Sequence, residues 1–473
     1  MSTSAALNAS SVPVRGVCSG VHPRWALPSC IGIMLAIAAC SPSGERSDAN
    51  LIESGVLAVL APADPVRTPL TGAERRFYAD AAESAWSYLD ANYQEATGLV
   101  NATPDWQYTT IWDVGAQLLA FLAAKELGLL APEEYDRRTS TVLSTLERME
   151  LFRGIVFNKT YSTRDASMGD GSRQATGWSA TDLGRLLVAL RIVATREPVF
   201  AAVAERIVRR IKMDEVVRGG YVHGQLIGSS GAPWTFQEGR IGYEQYVATG
   251  FQLWGARVDN ALDLSRNGEP VDVLGVRLLR DRRGQDRLVS EPFILLGIEL
   301  GIRDDVRQLA AAVLAAQKAR YDSTGQITIA SEDAVGVPPH YFYYYCVYCN
   351  RQPFVIDAAL PERDLNVPRW VSTKGAFGWH ALMPSDYTRI ALDYVNRARH
   401  PTRGWASGIY EESGATTATY DINTASVILE VAAFQLRGWR PLIEEPAATV
   451  VEQATIGEPS TADGESSAES VTP

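Results

Sequence analysis

Six stretches of this chain are apolar on nearly every helical face, and each is entered from a polar, aromatic loop. They are TTIWDVGAQLLAFLAAKELGLL, WSATDLGRLLVALRIVA, EGRIGYEQYVATGFQLWG, SEPFILLGIELG, KGAFGWHALMP and YDINTASVILEVAAFQLRG. A helix that is apolar all round has to be buried on every side. Amphipathic segments alternate with them. The first follows the capping box Thr71-Gly-Ala-Glu74, and another is PEEYDRRTSTVLSTLERME, which opens on Pro132 with acids behind it. Others run from about Val199 to Lys212, from Asp304 to Arg320, and through SDYTRIALDYVNRARH. Inner and outer helices repeated without identical sequence repeats suggest a solenoid or a closed toroid. The irregular loops all fall where inner helices begin, which favours closure. The predicted fold is all-α, an (α/α)6 toroid with minor β-hairpins. GGYVHGQLIGSSG and EPVDVLGVRLL carry the hairpin signals, while Trp234 to about Arg240 reads as a loop.

The ends of the chain read differently from its body. Arg15 and Arg24 precede an apolar run from Ile31 to Ala39, too short to span a bilayer comfortably and followed directly by Cys40. Ile37-Ala38-Ala39-Cys40 resembles a bacterial lipobox, which implies cleavage before Cys40 and acylation of its thiol. Ser41 would by the same analogy favour the outer membrane. The alternative is an ordinary signal peptide cleaved elsewhere. The expected organisation is a signal peptide over 1–39, a lipidated tether over 40–70, the toroid over 71–440 and an acidic tail over 441–473. The formal net charge is −11, which argues against a nucleic-acid partner. Much of that charge sits in the tail, so it says little about substrate. Cys346 and Cys349 form a CxxC, read as a local disulfide or two unreactive thiols, since no βαβ context or second ligand pair accompanies it.

TTIWDVGAQLLAFLAAKELGLL, LFRGIVFNKTY, GWSATDLGRLLVALRI, EGRIGYEQYVATGFQLWG and STKGAFGWHALMPSDYTR together resemble the bacterial domain-of-unknown-function family 3131. That family is similar to the glucoamylase-like, six-hairpin glycosidases, a group that includes enzymes acting on β-1,2-glucan. The resemblance spans roughly residues 75–440. It fixes no activity, and the paired-carboxylate, inverting glycosidase chemistry considered next is an expectation by analogy to that wider group.

Glycoside hydrolysis needs a proton donor with a raised pKa and a second carboxylate that activates water or attacks carbon. Glu238, among aromatic rings, is the first candidate acid, although Arg240 nearby argues against it. Glu244, on the first turn of its helix, suits a base or a capping acid. Asp113 is a lone acid in an apolar helix, costly unless paired or facing a cavity. Glu332 and Asp333 form a loop pair ahead of an aromatic run. Trp112, Trp178, Tyr243, Trp379, Trp405 and Tyr410 fall near inner-helix entrances, where rings can stack on sugar faces or simply pack the core. Asp182 stands at another entrance as a capping residue and a candidate sugar ligand. Glu291 reads as structural, and Glu411 and Glu412 as solvated. Neither a metal nor a cofactor is expected: RDASMGDGS lacks EF-hand spacing, and phosphate-loop, HExxH and GxSxG motifs are missing. The reading is an envelope-anchored glycoside hydrolase or transglycosylase with a polysaccharide or oligosaccharide partner. The alternatives are a non-catalytic glycan-binding lipoprotein on the same fold and, more remotely, a lyase using His340 and Tyr341.

Overall fold

The computed structural model describes residues 67–171, 175–228, 231–335, 341–358 and 368–445. The signal and lipidation segment with Cys40, most of the tether and tail, and His340 lie outside these residues.

The expected helices form, several of them on side-chain caps, although Ser290 makes no capping bond to the helix that follows it. Helix α1 (Gly72–Ala91) starts on the Thr71–Glu74 box, and α2 (Ile111–Glu126) on a second box between Thr110 and Asp113. The outer α3 (Pro132–Arg148) follows with Pro132 in its first turn. Then come α4 (Ala180–Arg196), capped by Ser179, α5 (Ala201–Arg209) and α6 (Tyr243–Gln252). Helix α7 (Glu291–Leu295) runs into a π-helical turn over Leu296–Leu300. Helix α8 (Asp304–Thr324) ends at Gly325, whose φ of 72° is the left-handed conformation that stops a helix. The last are α9 (Thr373–Leu382), α10 (Asp386–Val395) and α11 (Ile422–Leu436), the first capped by Ser372, the second by Ser385 and the third by Asp421.

The six apolar helices pack in sequence: α2 on α4, α4 on α6, α6 on α7, α7 on α9, α9 on α11, and α11 back against α2. Glycines permit these approaches. A Cβ on Gly184 of α4 would lie 2.5 Å from Cβ of Val247, and one on Gly250 of α6 would lie 2.3 Å from the Gly184 carbonyl. The outer α1 packs on the last inner helix, α11. Next to them the Arg67 guanidinium reaches the carbonyls of Leu382 at 3.4 Å and Trp439 at 3.5 Å. No helix among the described residues is long and apolar enough to cross a membrane.

Strands fill the remaining links. Gly268–Val273 pairs with Val276–Asp281, as the alternation predicts, and packs on α8. Tyr221–Ile227 pairs with Pro233–Gln237, so the stretch read as a loop before α6 is a strand instead. Its partner lies some ten residues back, and that pairing, not local pattern, makes it a strand. The aromatic run is the strand Tyr341–Cys349, flanked by Arg287–Leu288, Glu332–Val335 and Gln352–Ala358. Cys346 and Cys349 are buried free thiols, and burial pushes the Cys346 thiol well above its usual range.

Candidate active site

The N-terminal turns of the six inner helices each contribute a polar side chain to one region: Asp113 on α2, Asp182 on α4, Tyr243 on α6, Glu291 on α7, Lys374 on α9, and Asp421 with Asn423 on α11. Three of these mouths meet directly at Glu291. Its Oε1 accepts from the Lys374 ammonium at 2.8 Å and from the Asn423 amide at 2.6 Å. Its Oε2 accepts from the Tyr243 hydroxyl at 2.9 Å. The same hydroxyl is bonded to Oε2 of Glu332.

A phenol has one hydrogen, so the two carboxyl groups compete for it. Glu291 has the Lys374 ammonium and the Asn423 amide as further donors. Burial raises Glu332 to about 7 and the neighbouring negative charge of Glu291 adds to the shift, while the Tyr243 bond pulls the other way. The Tyr344 hydroxyl also bonds Glu332, from the facing position of the paired strand.

Asp113 is buried at the start of α2, with Oδ2 accepting from Thr110 Oγ1 at 2.8 Å. Burial raises it to about 7 against the pull of the Thr110 bonds, and Asp182 and Asp421 oppose its ionisation further. Asp182 is raised too, by burial, and its Oδ2 is a buried oxygen with no hydrogen-bond partner. Glu238 is half-buried and bridges to α4. Its oxygens accept from Ser179 Oγ at 2.9 Å, Thr181 Oγ1 at 3.2 Å and the Ala180 amide at 2.5 Å. Burial and Asp182 push it up, while those donors hold it down. Arg240 does not lower it. That guanidinium turns away to the carbonyls of Gly284 and Gly239.

Other candidates lie elsewhere. Glu244 is fully buried and held by both arms of Arg283 and by Gln237 at 2.9 Å, so it braces the sheet–helix junction and does not face the mouth. Asp333 is an internal strut: it accepts from Trp370 Nε1 at 2.9 Å and Ser372 Oγ at 3.2 Å, with Lys374 at 3.7 Å. Trp178, Trp379 and Trp405 are fully buried and cannot stack on a sugar. The indoles of Trp178 and Trp405 are spent on the carbonyls of His223 and Ala81. Tyr410 is half-buried, edge-on to Trp370. Trp112 and Tyr243 do meet, edge to face at 5.9 Å, and both are buried. Beneath Trp112 lies the buried Arg185, 4.9 Å from its ring, paired with Glu430 at 3.1 Å and Glu299 at 3.4 Å. Glu411 is also no solvated charge: Arg320, Arg369 and Tyr345 hold it in the interior.

The residues that sequence reasoning missed are Glu291 as a site residue, Lys374, Asp421 and Asn423. Lys374 was findable, because it is a lone charge in an apolar helix, the signal that singled out Asp113.

The protein of unknown function family DUF3131 matches the chain over residues 80–438, which covers the whole ring of inner helices and every residue of the mouth. The chain belongs to the DUF3131 family. No functionally curated protein matches it. Among solved structures, this DUF3131 protein is similar to an endo-β-1,2-glucanase from Chitinophaga pinensis in complex with sophorotriose and glucose. That likeness has a TM-score of 0.55 and 13% identity, over 81% of this chain and 98% of the other. It is similar to a glucoamylase-like protein from Bacteroides uniformis, with a TM-score of 0.58 and 12% identity over 83% and 96% of the two chains. An endo-β-1,2-glucanase from Talaromyces funiculosus in complex with sophorose matches with a TM-score of 0.53 and 12% identity, over 80% and 85%. At these identities the likeness establishes a shared helix-rich, glucoamylase-like fold for the DUF3131 chain.

Proposed function

We propose that this chain is a glycoside hydrolase or transglycosylase acting on a bacterial glucan or exopolysaccharide, built on a closed (α/α)6 toroid. The observation that carries the reading is the pair of buried carboxyl groups, Glu291 and Glu332, that meet on the one Tyr243 hydroxyl. A carboxylic acid kept protonated near neutral pH beside a charged partner is what a proton donor to a glycosidic oxygen requires. Glu332 is that donor. In the order of packing, α2 stands three helices away from α7, whose Glu291 shares Tyr243 with Glu332, and Asp113 on α2 is the base proposed to act with Glu332. A carboxyl poised near 7 suits a general base that takes a proton from water. An acid and a base drawn from different inner-helix entrances would suit an inverting reaction, in which a water stands between the two carboxyl groups. The β-1,2-glucanase neighbours make a β-linked glucan the first substrate to try.

The test is release of reducing ends from a panel of glucans. Glu332→Gln keeps the shape but cannot donate a proton, and it should reduce turnover by about 10²–10⁴-fold with binding retained. Turnover unchanged in that variant would sink the assignment. Glycan binding without any turnover by the natural chain would select the non-catalytic reading.

The lipobox-like segment supports a second part of the proposal: a cleaved signal over 1–39, a lipid on Cys40, and a body tethered to the outer membrane facing the periplasm. Labelled fatty acid should enter the natural chain and not the Cys40→Ser variant. Equal labelling of both would remove the anchor.

A further inference from the structure

The rings that sequence pattern places at helix entrances are mostly buried, yet one large aromatic is not. Trp234 is 60% exposed on the strand Pro233–Gln237, stacked on Phe236 with centroids 4.9 Å apart and planes 28° apart. Trp234, Phe236 and Glu238 alternate along one chain direction, so their side chains share a face. The pairing strand completes that face: Leu226 stands opposite Trp234, and Gly224 opposite Phe236. Gly224 is the informative position. A Cβ there would come within 2.4 Å of Glu238 Oε2 and 3.0 Å of the Phe236 ring. The missing side chain therefore lets the ring and the carboxylate lie down together on the hairpin. The result is a continuous strip, about 14 Å from Trp234 to Glu238 at the rise of a strand. It is apolar and exposed at one end, and at the other it joins the acids of the mouth through Asp182.

We propose that the Trp234–Phe236 face is a glycan-binding platform, on which pyranose rings stack as the chain runs into the mouth. This rests on the glycan reading of the site. The chemistry matches: a sugar ring presents C–H bonds on its face and hydroxyls at its edge. An indole already stacked on a second ring gives that face a large, rigid surface at low entropic cost. Gln225 and Thr235, bonded at 2.9 Å, keep the two strands of the platform in register. An exposed apolar patch of this kind, rimmed by polar groups, marks a binding surface. Pro233 at the start of the strand makes a protein strand a poor occupant, because it offers no N–H for pairing.

The platform is tested by affinity electrophoresis of the full chain through gels holding soluble β-1,2-glucan, with β-1,3-, β-1,4- and α-1,4-glucans as the panel. All variants carry Glu332→Gln so that turnover cannot remove the ligand. Trp234→Ala should weaken retardation by long chains roughly three- to tenfold, the size of one aromatic contact. It should leave competition by a disaccharide unchanged, and Trp234→Phe should recover most of the loss. Retardation by long chains unaltered in Trp234→Ala would overturn the platform and leave the glycan reading of the mouth standing. Absence of retardation by every glucan, in the chain with Trp234 intact, would overturn both. Because the readout is binding, loss of the hydrolase proposal alone does not disturb it.

Discussion

The proposed reaction turns on one hydrogen. Tyr243 lies between Glu291 and Glu332, and its hydroxyl reaches both. On that proposal the phenol donates to Glu291 while Glu332 keeps its proton. Once Glu332 has given the proton away, the phenol can swing to the new carboxylate and stabilise it. Tyr243→Phe removes that donor while keeping the ring on Trp112. Glu332 should then ionise less readily, so the alkaline limb of the pH–rate profile should move upward and the maximal rate should fall by about tenfold. A limb that stays in place would show that the phenol only packs. Asp113 and Glu332, the pair proposed to react, could be singled out in the sequence because acids beside apolar or aromatic runs are costly without a purpose. Glu291 was not, because Ser290-Glu291 looks like any capped helix. What makes it a site residue is Lys374 and Asn423, which arrive from helices 83 and 132 residues further on.

Among elements, the inner helices were the most legible part, since a segment apolar all round has few places to go. The strand carrying Trp234 was the least legible, because its identity depends on a partner strand. The closeness of the inner helices was not legible either, since a glycine in a helix looks like a weakness until its neighbour is known. Gly184 and Gly250 let α4 and α6 approach until the backbone of one touches the other. Gly184→Ala would improve helix propensity by about 1 kcal/mol, yet it drives a methyl into Val247. Overpacking of a tight core costs about 1–3 kcal/mol, so the clash should win and the melting temperature should drop by a few degrees. A rise would mean that the helices separate at no cost.

For the molecule as a whole, the buried acids set how stability responds to pH. Burial raises Asp113, Glu244 and Glu332 to about 7 and Asp333 to about 8, and it raises Asp182, Glu238, Glu299 and Glu430 as well. Unfolded, these groups titrate near 4, so between about pH 4 and pH 8 the folded chain holds more protons than the unfolded one. Stability is therefore greatest at the acid end of that window and is lost as pH rises through the folded values. Acids with lowered pKa, such as Glu134, work in the opposite sense below that window, and His223 and His380, lowered by burial, oppose the trend within it but are outnumbered by the raised acids. Calorimetry should show the melting temperature falling from about pH 5 to about pH 8.5, and a rise over that span would contradict the protonated interior. The inward-facing acids belong to a body whose two ends are already joined. Arg67 clasps the carbonyl of Trp439, and α1 lies along α11. The order in which the helices follow one another along the polypeptide is thus separable from the order in which they touch. A circular permutant, sealed between those ends and opened at the exposed turn of Arg153 and Gly154, would keep every helix beside its present neighbours.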